Sequence, residues 1–97
     1  MAKKVIWTNN AKADLLHILS YLQNAWSFRI ADNFSKLVIR KVELLSQFPE
    51  LGARSQNFPG RRKITLTRRA ILIYTIEGEH LVLLAIFDTR RNPDQLT

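Results

Sequence analysis

Cysteine is absent from this 97-residue chain. That excludes disulfides and thiolate metal sites and is compatible with life in a reducing cytoplasm. Histidine is scarce: His17 and His80 stand apart from each other and from acidic neighbours at ligand spacing, so no metal centre is expected. So few histidines also leave no Ser/His/Asp arrangement to argue for. The three glycines are scattered at turns, which excludes a glycine-rich phosphate loop. No cofactor is expected. Long apolar runs are missing too, and a membrane span needs roughly 20 such residues. Lys3-Lys4 is followed only by Val5, Ile6 and Trp7 before polar residues resume, which is no signal peptide.

Acidic residues are the most informative shortage. Eight stand against 15 lysines and arginines, for a net charge of +7. Between Leu51 and Ile76 there is no acidic residue at all, while Arg54, Arg61, Arg62, Lys63, Arg68 and Arg69 fall in that stretch. Arg90 and Arg91 follow near the end. Clustered charge of one sign on a small domain must face something anionic, either nucleic acid or an acidic protein. These eight basic residues are the candidate target- or nucleic-acid-binding set.

What remains is globular. Apolar residues are 46% and charged residues 24% of the chain, and the length suits one domain, residues 1–97. Val5, Ile6 and Trp7 are β-formers and end a first strand begun at Lys3. Thr8, Asn9 and Asn10 start a helix running to about Asn24, with Asp14 expected in its first turn. Its apolar positions Ala11, Leu15, Ile18, Leu19 and Leu22 recur three and four apart. After a short turn, Ser27 caps a second, antiparallel helix. Ala31, Phe34, Leu37, Val38, Leu45 and Phe48 form its apolar face, and Pro49 stops it. Three strands follow: Arg62–Leu66, Ala70–Ile76 and His80–Phe87, joined by tight turns and therefore antiparallel. The expected fold is α+β, in the order β-α-α-β-β-β, with the helical hairpin on one face of a small, mostly antiparallel sheet.

The last two strands are apolar on both faces. In the third, Ile71 and Ile73 oppose Leu72, Tyr74 and Ile76; in the fourth, Leu81, Leu83 and Phe87 oppose Val82, Leu84 and Ile86. One hairpin covers one face. The other is left as exposed apolar surface for a partner, or the sheet curls and the loop Leu51–Gly60 folds over it, the partner being the favoured expectation.

Ribonuclease chemistry needs two proton-transfer groups and a cation for the phosphate. Cations abound, but arginine carries protons poorly near neutral pH. Tyr74 within a strand, Glu77 and Glu79 at a turn, and Asp88 beside Arg90 and Arg91 form no obvious acid–base pair.

Three features together resemble a known family. They are Trp7 with Ala11, Asp14, Leu15, Ile18 and Tyr21; Leu45, Pro49 and Gly52 leading to Arg54; and Gly60-Arg61, Tyr74 and the ending Phe87-Asp88-Thr89-Arg90-Arg91-Asn92-Pro93. The chain resembles the RelE/ParE superfamily, toxins of bacterial type II toxin–antitoxin modules, over nearly its whole length. The resemblance implies a cytoplasmic toxin neutralised by a cognate antitoxin whose flexible, often acidic segment covers its groove and sheet. Contact with operator DNA is expected only through the antitoxin complex. RelE-like members cleave mRNA on the ribosome, whereas ParE-like members inhibit DNA gyrase without known nuclease chemistry. Ribonuclease members usually place a tyrosine or histidine after the final strand, and Asp88 to Thr97 contains neither. The gyrase-directed, ParE-like branch is therefore favoured over a RelE-like mRNA endoribonuclease. An inactive relative or a simple basic binding module is the third alternative.

Overall fold

Two helices pack against one face of a five-stranded sheet in a computed structural model that describes residues 2–89. The elements are β1 (Lys4–Trp7), α1 (Asn9–Ala25), α2 (Phe28–Gln47), a single 3-10 turn (Pro49–Leu51), β2 (Ala53–Arg54), β3 (Arg61–Thr67), β4 (Ala70–Glu77) and β5 (His80–Asp88). The sheet order is β1-β5-β4-β3-β2, antiparallel except for the pairing of the edge strand β1 with β5, which is parallel. The helical hairpin and the antiparallel run are as the sequence predicts. The two-residue edge strand β2 is an addition, because its pairing with Lys63 and Arg62 leaves no local signature in so short a segment.

Local chemistry sets the helix boundaries. The Thr8 hydroxyl accepts from the Ala11 amide at 3.2 Å and caps α1; the Ser27 hydroxyl accepts from the Ile30 amide at 3.2 Å and caps α2. Only Trp26 and Ser27 separate the helices, and both their amides donate to Leu22 O, which forces the return. Pro49 has no N–H to continue α2.

The core lies between α2 and the sheet. Ala31, Phe34, Val38, Val42 and Leu45 are buried at three- and four-residue spacing, against Leu66, Leu72, Tyr74, Leu81, Leu83 and Ile86. Burying each large aliphatic side chain contributes about 1.5–3 kcal/mol. From α1 only Ala11 is fully buried, with Leu15, Ile18, Leu19 and Leu22 packed at the margin. Phe48 departs from expectation: it is the C-cap of α2 with a non-helical backbone, and it is 58% exposed.

A bulge reorganises β5. Tyr74 pairs with Leu83 but Ile73 pairs with Ala85, so Leu84 is the extra residue. Alternation breaks there, placing Leu81, Leu83 and Ile86 together in the core and Phe87 on the opposite face. The even alternation read from the sequence, with Phe87 beside Leu83, is corrected accordingly. The start of α1 holds this bulge. Thr8 Oγ1 donates to Leu83 O at 2.7 Å, Asn10 Nδ2 donates to Leu84 O at 2.9 Å, and the Ile86 amide donates to Asp14 Oδ2 at 2.9 Å. Asp14 therefore lies beyond the first turn of α1 and caps a strand irregularity rather than the helix dipole.

The open face of the sheet is partly roofed by the chain's own loop. Thr75 Oγ1 donates to Gly60 O at 2.7 Å, the Ser55 amide to Arg61 O at 2.8 Å, and the Phe58 amide to the Ser55 hydroxyl at 3.2 Å. Ile71, Ile73, Val82 and Phe87 on that face are half-buried. The large apolar side chains that are most exposed lie instead on and beside the hairpin: Leu16 at 66%, Trp26 at 70% and Phe28 at 69%.

Candidate functional site

The register of β3 divides the basic cluster between two faces. Residues directly opposite in an antiparallel pair share a face. Arg62 opposes Tyr74 and Arg54, so all three point to the helix side. Arg61 opposes Thr75 and Lys63 opposes Ile73, so both point to the open side. Arg68 and Arg69 form the exposed tip of the β3–β4 turn, about seven residues or roughly 23 Å of strand from Arg61. The nine-residue basic run is thus three separate features. Arg90 and Arg91 lie outside the described residues.

Arg62 is occupied by the fold. Its guanidinium donates to Gly52 O at 2.7 Å and Glu50 O at 3.2 Å, satisfying carbonyls at the exit of the 3-10 turn. Tyr74 secures the same turn from below. Its hydroxyl donates to Pro49 O at 2.7 Å and accepts from the Gly52 amide at 2.9 Å, and its side chain is fully buried. Burial pushes the Tyr74 hydroxyl above the ordinary tyrosine value of 10.0, with the Gly52 hydrogen bond and the nearby Arg62 charge pulling the other way. A buried phenol with both hydrogen-bonding roles filled is an anchor, not a proton carrier for an external substrate. Sequence pattern left Tyr74 ambiguous; Gly52 was the available clue, because a Cβ there would meet the Tyr74 ring and Lys63 O, each at 2.8 Å.

Two concave surfaces stand out among the described residues. The larger, of about 800 Å³, opens on the helix side where the hairpin runs past the end of the sheet. Ile18, Leu22, Ile30, Phe34, Leu37 and Ile86 give it an apolar floor, Tyr21 and Trp26 stand at the hairpin end, and Arg68 and Arg69 form the opposite rim. Asp14 and Asp88 also line it, but they are half-buried while the arginines and His17 are exposed. Sequence reasoning found its arginines and missed the groove, since Trp26, Ile30 and Arg69 become neighbours only in the fold.

The smaller, of about 390 Å³, lies on the open face among Thr8, Asn10, Ser55, Phe58, Arg61, Ile73, Leu84, Ala85 and Phe87. The Arg61 guanidinium carbon sits 5.0 Å from the centre of the Phe58 ring, in a cation–π contact. His80 is exposed at the start of β5, and His17 is on the helix side. Among the described residues no three His, Cys, Asp or Glu side chains gather as metal ligands. No helix of the described residues is long and apolar enough to cross a membrane.

A helical hairpin on one face of a five-stranded sheet is an α+β arrangement that several solved structures share. A chain of the chromosomal ParDE TA system from P. aeruginosa is similar at 26% identity and a TM-score of 0.78, over 90% of this chain and 96% of that one. The YoeB/ParE toxin from Agrobacterium tumefaciens is similar at 14% identity and TM-score 0.64, over 88% and 96%. The YoeB dimer from Staphylococcus aureus is similar at 13% and 0.62, over 90% and 97%. The last two likenesses speak for the fold alone. No curated protein sequence matches significantly. The family model for the ParE toxin of the type II toxin–antitoxin system, parDE, matches residues 5–93. The chain belongs to the ParE toxin family.

Proposed function

We propose that this toxin arrests growth by binding DNA gyrase, and that a cognate antitoxin neutralises it by seating an acidic, amphipathic segment in the groove between the hairpin and the β3–β4 turn. The observation that carries the first part is the fate of Tyr74. It is the tyrosine nearest the basic strand, and it is consumed in holding Pro49 and Gly52. The basic residues of β3 therefore offer charge without a partnered acid and base, which suits protein contacts better than RNA cleavage. The tail from Arg90 to Thr97 adds no tyrosine or histidine by sequence. For the second part, the apolar floor matches the non-polar side of such a segment, and Arg68 and Arg69 match its carboxylates.

The test is a titration of purified gyrase with the toxin, read as supercoiling of relaxed plasmid. Loss of supercoiling, with thymidine incorporation falling before methionine incorporation after induction in cells, is the expected result. Normal supercoiling at excess toxin, with methionine incorporation falling first and mRNA cut on ribosomes, would transfer the reading to an endoribonuclease.

A further inference from the structure

The open-face pocket is remote in character from the groove, and its construction is specific. Its floor is apolar, from Ile73, Ala85 and Phe87, and one wall is the Phe58 ring. Arg61 lies against that ring, and Lys63 is the next residue of β3 on the same face. The lining contains no carboxylate. The loop that carries Phe58 is held in place by the Thr75–Gly60 and Ser55–Arg61 hydrogen bonds, so the wall is positioned before anything binds. A guanidinium stacked on a ring still presents its outward N–H groups, which fork a carboxylate well.

We propose that this pocket is the toxin's target-docking site, and that it takes a protein segment presenting an apolar side chain beside a carboxylate. This rests on the reading that the target is a protein. Two observations favour a protein over a nucleic acid. First, the polar groups at the edge are engaged by the chain itself. Thr8 and Asn10 donate to the carbonyls of the β5 bulge, and the Ser55 hydroxyl accepts from Phe58, which leaves little to read a base edge. Second, β3 places only Arg61 and Lys63 on this face, with Arg54 and Arg62 on the other and Arg68 and Arg69 at the far turn. That is enough charge for one or two carboxylates and not a track for a phosphate backbone. The volume of about 390 Å³ suits one large side chain with its neighbour.

The experiment compares the full-length toxin with Phe58→Ala, Arg61→Glu and Lys63→Glu, and with Lys36→Glu as a charge-matched control on the outer surface of α2. Phe58 and Arg61 are exposed, so folding is expected to survive, and melting temperature and circular dichroism check it. The readouts are the toxin concentration that half-inhibits gyrase supercoiling and the cutting of ribosome-bound mRNA. The expected result is a loss of gyrase inhibition by about tenfold or more in Phe58→Ala and Arg61→Glu, a smaller loss in Lys63→Glu, and none in Lys36→Glu. Wild-type toxin that inhibits gyrase together with pocket variants that inhibit it equally well would overturn the docking site while leaving the gyrase reading standing. Wild-type toxin that leaves gyrase untouched would overturn the gyrase reading itself. Cleavage of mRNA that is lost in Phe58→Ala and Arg61→Glu would replace the protein occupant by RNA.

Discussion

Tyr74, Gly52 and Arg62 form one unit at the residue scale. The phenol, the glycine amide and the guanidinium close the exit of α2 onto the sheet, so each partner's absence leaves polar groups without a bond. Tyr74→Phe keeps the ring but strands the Gly52 amide and weakens the hold on Pro49 O; a loss of about 1–3 kcal/mol of stability is expected in urea unfolding. The pH dependence has a definite sign. Because burial raises the folded-state value, the Tyr74 contribution is fully present below the unfolded value near 10.0 and is lost as pH rises through the higher folded one. Wild-type protein is thus expected to lose stability in strong alkali more steeply than Tyr74→Phe, and matching alkaline slopes would refute the assignment. Gly52→Ala has no backbone penalty of its own, since its φ is −74°, but the new methyl meets the Tyr74 ring and Lys63 O. Overpacking of this kind costs about 1–3 kcal/mol, to be read as a lower melting temperature.

At the scale of elements, the β5 bulge and the start of α1 depend on one another. Asp14→Ala removes the acceptor of the Ile86 amide, in a residue only 4% exposed. A stability loss of about 1–3 kcal/mol is expected, with faster hydrogen exchange localised at Ile86. Uniformly faster exchange across β4 and β5, with no local excess, would count against the clamp. This coupling marks the limit of what the sequence discloses. The helices were legible because their apolar spacing and their caps, Thr8 and Ser27, act within four residues. The antiparallel strands were legible because their turns are short and one of them contains Gly78, with a φ of +58°. The bulge was not legible, since the groups that hold it lie more than 70 positions away in the chain. Its consequence, the transfer of Ile86 into the core and Phe87 onto the open face, was hidden for the same reason. The basic cluster suffered similarly: its charge could be counted, but its division between two faces follows from strand register.

For the whole molecule, the two tryptophans report on different places. Trp7 packs against the core beside Leu83, whereas Trp26 is 70% exposed at the hairpin end and lines the groove. An antitoxin segment seated in that groove removes Trp26 from water and leaves Trp7 unchanged. Toxin fluorescence is therefore expected to shift to the blue on antitoxin binding, measured with a tryptophan-free antitoxin, and acrylamide quenching is expected to fall. Trp26→Phe abolishes both changes, while Trp7 emission persists. The rim supplies a second, independent signal. If the antitoxin segment is acidic, as proposed, Arg68→Glu with Arg69→Glu places carboxylates against it, so association slows by about tenfold or more at low ionic strength and the difference narrows in high salt. The two measurements separate apolar seating from electrostatic attraction. A salt-dependent affinity loss in the arginine variant, with an unmoved Trp26 spectrum in the wild-type complex, would mean that the antitoxin meets the β3–β4 turn without entering the groove.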